Sequence, residues 1–407
     1  IRVGLSTAAS PQVVEPNCVA SARGGQRAFG ADALDLPSCL LHRPTRRGLL
    51  LDLGLQRSIW DFILRKRLGL TSLSECSAVL VTDTPFTPAT MRREVQEVFF
   101  EDLGFSEVAV VPAPPLALHS PGVRRVLDEN NPCCMLLNVG YSSCIAMPCV
   151  EFQPIRQAVR RLNIGGRVLT NLMLERLRLH HYDLSRSWLV AEDMLSKVGE
   201  VSPCFDADLR ENFKRVEPRC YVLPNFNNIE RGYVEIDLRD EADIAKEAAE
   251  ARAPAGAAGA QAQPDDLQRA VLTAERVAIP EALFSPGDHG MPHMAGLPEL
   301  VQRSIEAVGG EEAWRMNFGQ VVLCGALARM PGLRERLAEE LRRLLPEHWP
   351  VKVLAEAEPE LSVWRGAAAL AERPEFRKRH FVSRQAAGDR ARAAQAPAAA
   401  RAAAVGG

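Results

Sequence analysis

Apolar and polar positions along the chain follow two rhythms. The runs "SAVLVTDTP" (77–85) and "EVAVVP" (107–112) are short, rich in β-branched residues and bounded by turn formers, which predicts buried strands. Between them "ATMRREVQEVFFEDL" has a helical period, with Thr87 and Pro88 as its predicted N-cap and first helical position and Gly104 as its end. A strand, helix, strand unit of this length implies parallel pairing. Upstream, "GLLLDLGLQRSIWDFILRKRLGL" (48–70) predicts a short strand and then a helix with Leu55, Ile59 and Ile63 on one face and Trp60 beside them. The opening "IRVGLS" reads as the second strand of a hairpin whose first strand lies before residue 1, so a truncated amino terminus is expected.

The stretch "CMLLNVGYSSCIAMPCV" (134–150) is an apolar strand, a glycine turn and a second strand. Gly140, Ser142 and Ser143 at its tip admit two readings. Exposed N–H groups and hydroxyls there would form a small concavity for phosphate, or the segment is plain turn chemistry. "RQAVRRLNIGGRVLTNLMLERLRLHH" changes from strand to helix at Gly165 and Gly166, and a mostly helical region is predicted to about 237. The last third repeats the alternation: a strand ending at Gly325, a helix opened near Pro331, the strand "VKVLAEA", and the helix "SVWRGAAALAE" capped by Ser362. A buried strand therefore twice runs into a glycine turn, at 135–140 and 320–325.

Two segments depart from this pattern. Residues 239–266 lose aromatic and most β-branched residues and read as a solvated Ala, Glu and Pro-rich insertion. Beyond Arg384 there are too few large apolar groups to fold, and Arg390, Arg392 and Arg401 make a locally basic, disordered end.

At 407 residues and 47% hydrophobic, the chain is long enough for two cores or one split by a cleft. A net charge of −2 gives no global pull toward nucleic acid, which leaves local patches such as 156–167 and 376–384, or a partner, to make any such contact. The ten cysteines form no CxxC pair, which favours reduced, buried thiols. Zinc on Cys134, Cys144 and Cys149 with His180 or His181 is the minor reading, because strand cysteines usually act as small hydrophobes. No apolar stretch reaches the length needed to span a bilayer, and none at the start has the form of a signal peptide.

Five segments in order resemble the actin family: "NVGYS" (138–142), "LNIGGRVLTNLM" (162–173), "AERVAIPEALFSPGDHG" (274–290), "VVLCGALARMPGLRERL" (321–337) and "LSVWRGAAAL" (361–370). The resemblance implies an α/β, two-lobed fold of the actin, hexokinase and heat-shock chaperone type, with a central cleft for a nucleotide. It implies a discontinuous first lobe of residues 1–120 plus 361–384 and a second-lobe core of 121–164 plus 265–360. The remaining 165–264 would be a peripheral subdomain containing the insertion 239–266, and 385–407 a tail.

The same resemblance allows the cleft to be checked residue by residue. The family holds a divalent cation on the nucleotide phosphates through a carboxylate-organised water shell, and orients an attacking water with a polar side chain. Here the leading Asp of the second phosphate loop, before Gly140 and Ser142, corresponds to Asn138 and a following Asp to Tyr141. The hydrolytic Gln corresponds to about Ala113, and the adenine-side Lys-Glu pair falls near Leu195 and Ser196, with Lys197 adjacent. In the adenosine segment, Gly325 is followed by Ala326 in place of glycine, Met330 replaces an aromatic, and Glu360 replaces a Lys. Arg2 matches the phosphate-binding Lys of the first loop, and Gly166 matches the helix start. ATP and magnesium are the cofactors the family implies; the departures predict a site decayed for hydrolysis.

Within the family the likeness is greatest to the nuclear branch, on "VVEPNC" (13–18), "LQRSIWDFI" (55–63), Cys133-Cys134, "GYSS", "LNIGGRVLTN" and "YVLPNFNNIERGY" (221–233). That likeness implies a non-catalytic subunit of a histone-variant-exchange chromatin-remodelling complex in the nucleus. A zinc-finger-type subunit and the remodeller ATPase would be its partners, with the histone variant and nucleosome as indirect clients. The short stretch 19–47 leaves little room for the loop that joins actins into filaments, so no filament is expected, and no membrane. The alternatives are an active ATP-binding member of the superfamily and a cytoplasmic dynactin-type relative.

Overall fold

The computed structural model describes residues 1–22, 25–36, 39–70, 76–128, 131–180, 182–184, 187–225, 231–235 and 267–389. These divide into two compact units. The first comprises Ile1–Glu15, Pro44–Pro121 and the chain from Val363; the second comprises Pro16–Arg43 and Gly122–Ser362.

In the first unit, β1 (Ala78–Asp83), α1 (Ala89–Glu97) and β2 (Glu107–Pro112) form the expected unit, with parallel pairing from Ala78↔Glu107 to Asp83↔Pro112. The predicted helix start is one residue early. Pro88 keeps an extended ψ of 147°, so the helix begins at Ala89, and the Thr87 hydroxyl pairs with that of Thr84 at 3.1 Å instead of capping. Val95, Val98, Phe99, Phe100 and Leu103 pack on Phe105 and Val108, and the ring of Trp60 lies 4.7 Å from that of Phe99. The helix Leu53–Phe62 opens where the Asp52 carboxylate accepts from the Leu55 amide at 2.8 Å. Arg2–Val3 pairs antiparallel with Val13–Val14.

Val382–Ser383 adds to β2 as an antiparallel strand, and residues 384–389 turn into helix. This corrects the expected tail over 385–389: Ala387 packs against the Phe99 and Phe105 cluster, which gives the segment an apolar anchor. The rest of the tail, with Arg390, Arg392 and Arg401, lies outside the described residues, as do the insertion 239–266 and His181.

The second unit is built on a sheet ordered Gln153–Pro154, β4 (Cys144–Val150), β3 (Cys133–Val139), β5 (Gln320–Cys324), β6 (Lys352–Leu354), with Arg160–Leu162 also on β4. The β3 and β4 strands are an antiparallel hairpin, while β3, β5 and β6 run parallel. Strands buried on both faces explain their near-continuous apolar sequence. The helices that share its apolar core are α2 (Gly166–His180), α3 (Trp188–Val198), α4 (Leu297–Glu306) and α5 (Leu333–Leu344).

Three expectations are corrected in this unit. Residues 165–264 contribute no separate subdomain among the described residues, because Leu169, Met173 and Tyr221 share one core with Met135, Leu137 and Leu323. The supposedly helical region contains a three-stranded antiparallel sheet of Tyr233–Glu235, Arg219–Val222 and Arg269–Leu272. Residues 16–43, expected in the first lobe, form a small sheet of Val19–Ser21, Arg27–Phe29 and Leu40–His42 whose Cys18, Ala20 and Ala33 pack with Leu189 and Trp188.

Candidate functional site

The two glycine turns meet because β3 and β5 are adjacent and parallel, with Asn138 opposite Cys324. Loops leaving the carboxyl ends of parallel strands are where α/β sheets place ligand-binding groups. Gly325 has φ +100°, and a Cβ there would lie 2.5 Å from the Val139 carbonyl and 2.6 Å from Asn138 Oδ1, so no larger residue fits. Asn138 Oδ1 accepts from the Cys324 thiol at 3.7 Å.

At the hairpin tip the Gly140 amide donates to the Ser143 carbonyl at 3.2 Å. The tip then closes on α2: the Gly166 amide donates to the Gly140 carbonyl at 3.2 Å and the Arg167 amide to the Tyr141 carbonyl at 2.8 Å. Helix amino termini carry unpaired amides that suit anions, but these two are bonded to the chain's own carbonyls. Gly165 permits the approach, since a Cβ on it would sit 2.6 Å from the Gly140 carbonyl and 2.7 Å from that of Tyr141.

The Tyr141 side chain is fixed independently. Its hydroxyl accepts from Trp188 Nε1 at 3.1 Å, and the Arg43 guanidinium lies over its ring at 4.6 Å. Arg43 also meets the Glu192 carboxylate at 2.6 Å. Burial, aided by the Glu192 charge, pushes the phenol up to about 12, so it stays neutral at ordinary pH.

The structure brings Asn138, Gly140, Tyr141, Ser142, Gly166 and Gly325 into one neighbourhood of the second unit. Ala326 opens the short turn Ala326–Arg329 directly after Gly325, and Met330 is buried, with its Cε 3.4 Å from where a Gly199 Cβ would be. The Gly325 amide donates to the Pro359 carbonyl at 3.1 Å, and Glu360 faces Arg329 at 3.8 Å. Leu195 is buried in the core, Ser196 is exposed, and Lys197 is held by Asp193 at 2.6 Å and the Gly232 carbonyl at 2.7 Å. Arg2 and Ala113 belong to the first unit, Arg2 in the strand Arg2–Val3 and Ala113 at the start of the short helix Ala113–Leu116. Ser362 does not act as the predicted cap: it is fully buried and its hydroxyl has no hydrogen-bond partner among the described residues.

The sequence reading missed Arg43, Trp188 and Glu192, which are distant along the chain and share no motif. The segment 274–290 also carries an ion network that no motif marks. Arg276 donates to the Val198 carbonyl at 3.1 Å and to Glu200, while Arg336 spans Glu281, Glu340 and the Ser202 carbonyl. In the basic run 376–384, Arg377 pairs with Glu107 at 2.6 Å and Arg384 with Glu101 at 2.5 Å, while Lys378 and Arg379 are exposed. Among the described residues no three His, Cys, Asp or Glu side chains gather as a metal site; Cys144 donates instead to the Ile164 carbonyl at 3.2 Å.

Paired strands ending in two glycine turns, with a helix start folded onto one of them, agree with the sequence resemblance, and the family model for actin matches residues 1–387. The chain belongs to the actin family. Among curated proteins it is 30% identical to actin-related protein 6 of Oryza sativa subsp. indica, covering 92% of this chain and 91% of that protein. Actin-related protein 6 of Arabidopsis thaliana is 29% identical and that of Drosophila melanogaster 27%, each over 92% of this chain and 91% of theirs.

Proposed function

We propose that this chain is a non-catalytic, actin-related subunit of a nuclear chromatin-remodelling complex of the histone-variant-exchange type. The observation that carries the reading is at the tip: the amides of Gly166 and Arg167 are bonded to the Gly140 and Tyr141 carbonyls, so the start of α2 offers neither of them to an anion. The rest of the neighbourhood supports it. Asn138 brings an amide where a metal-organising carboxylate is needed, and a neutral amide cannot supply that charge. Ala326 adds a methyl where backbone must approach a base, and Glu360 places negative charge where the family has a cation. These replacements support a site whose residues suit magnesium-ATP poorly.

A folded chain without catalysis works by surface recognition. The likeness to actin-related protein 6 supports partnership with a zinc-finger-type subunit and the remodeller ATPase, and an indirect relation to the histone variant and nucleosome. The compact sheet of residues 19–42 is consistent with a member that forms no filaments. Affinity purification of the tagged full-length protein tests the assignment: remodeller subunits should co-purify from nuclear extract. Recovery of dynactin subunits in their place would overturn it.

A further inference from the structure

The side chain at the loop tip does more than fill space. Residues 16–43 form a three-stranded sheet too small to be stable alone, since no strand exceeds three residues. Something must fasten it to the larger core. The apolar part of that seam is made mostly of small residues, Cys18, Ala20 and Ala33 with Ala28, Cys39, Leu36 and Leu41, in one cluster with Leu189 and Trp188. The polar part is specific. Arg43, immediately after the last strand, lies over the Tyr141 ring and reaches Glu192 on α3, while Trp188 at the start of α3 donates to the Tyr141 hydroxyl.

We propose that Tyr141 is an intrinsic latch, a conformational device that holds the 16–43 sheet on the second unit with no ligand present. Each half of the side chain has one task. The ring gives the Arg43 guanidinium a π face, which is stronger when partly desolvated. The hydroxyl accepts the hydrogen bond of the Trp188 indole N–H and so holds the start of α3. Burial and the neighbouring Glu192 charge keep the phenol protonated across physiological pH, so the latch does not titrate there. Because Tyr141 is anchored by its carbonyl to Arg167, the latch is referenced to α2 as well as α3. The sheet therefore stays in one position, as a recognition surface requires.

This inference rests on the reading of the 140–143 loop as closed to phosphate, and the test separates the two. Hydrogen exchange is followed by mass spectrometry on the full-length protein, with and without magnesium-ATP, for wild type, Tyr141→Phe, Tyr141→Ala and Arg43→Gln. Tyr141→Ala should raise exchange in Val19–Ser21, Arg27–Phe29 and Leu40–His42 by about tenfold or more, with β3 and β5 unchanged. Tyr141→Phe, which keeps the ring and loses the hydroxyl, should fall between. Arg43→Gln should resemble Tyr141→Ala, and it decides the matter if Tyr141→Ala does not fold. Unchanged exchange over 19–42 in Arg43→Gln and Tyr141→Phe overturns the latch. Protection of 138–143 by ATP in wild type would overturn the closed-loop reading and leave the latch standing, provided the variants still release the sheet.

Discussion

The Glu281 carboxylate, only 2% exposed, receives the Arg336 guanidinium at 3.3 Å and ties the helix Ala274–Glu281 to α5. Burial outweighs the cation and raises the Glu281 carboxyl to about 7. A carboxylate whose folded value lies above its unfolded one binds its proton more tightly in the native state. Stability should then fall as pH rises from about 4.5 to about 7 and level off above. Chemical denaturation across this range checks it, with Glu281→Gln removing that part of the slope.

The same pair predicts a large asymmetry between single and double variants. Arg336→Ala strands a buried carboxylate and should cost about 3–5 kcal/mol, whereas Arg336→Met with Glu281→Leu should cost much less. Urea midpoints of the three proteins give the comparison.

Gly325→Ala should be severe for one methyl group. It forces a left-handed φ on alanine and drives Cβ into the Val139 carbonyl and Asn138. A loss of about 3 kcal/mol is expected in equilibrium unfolding. Gly25 has a positive φ too, but a Cβ there meets nothing within 4 Å, so Gly25→Ala should cost about 1 kcal/mol.

What the sequence made legible follows from which interactions leave a mark on residue type. Strands β3 and β5 were readable because burial on both sides demands long apolar runs, each closed by a turn; β2 and the only half-buried β1 were readable from their β-branched runs between turn formers. The turn at Gly325 was readable because its geometry excludes a side chain. The closure of the tip was not, since amides of Gly166 and Arg167 bonding to carbonyls leave no side-chain signature; only the small Gly165 hints at the contact. The sheet of Arg219–Val222 was lost because its strands are only three or four residues long and one partner, 269–272, lies across the long insertion. The assignment of residues 16–43 failed for a related reason: their attachment runs through Tyr141, Trp188 and Glu192, far along the chain.

On the proposed reading, restoring one family residue should not confer ATP hydrolysis. Asn138→Asp places a charge beside the Val139 carbonyl and the Cys324 thiol while the α2 amides remain bonded to the loop. The variant should lose about 1–2 kcal/mol of stability and show no ATP hydrolysis in single-turnover assays.

Thiol reactivity should divide sharply. All ten cysteines are free; Cys204 is exposed, whereas Cys144 and Cys324 are buried and pushed up to about 12 by burial, and Cys18 to about 11. The thiolate is the reactive form, so native iodoacetamide labelling should modify Cys204 first and leave Cys18, Cys144 and Cys324 unmodified until denaturant is added. Peptide mass spectrometry reads this directly.

The central claim is that this actin-family chain has a loop closed to phosphate and does not use ATP. A ligand that binds only the folded state must stabilise it, by about 2.7 kcal/mol at a hundredfold excess over its Kd. The most direct measurement is the melting curve of the full-length protein with and without millimolar magnesium-ATP. The two curves should superimpose; a rise in Tm that grows with ATP concentration would contradict the account.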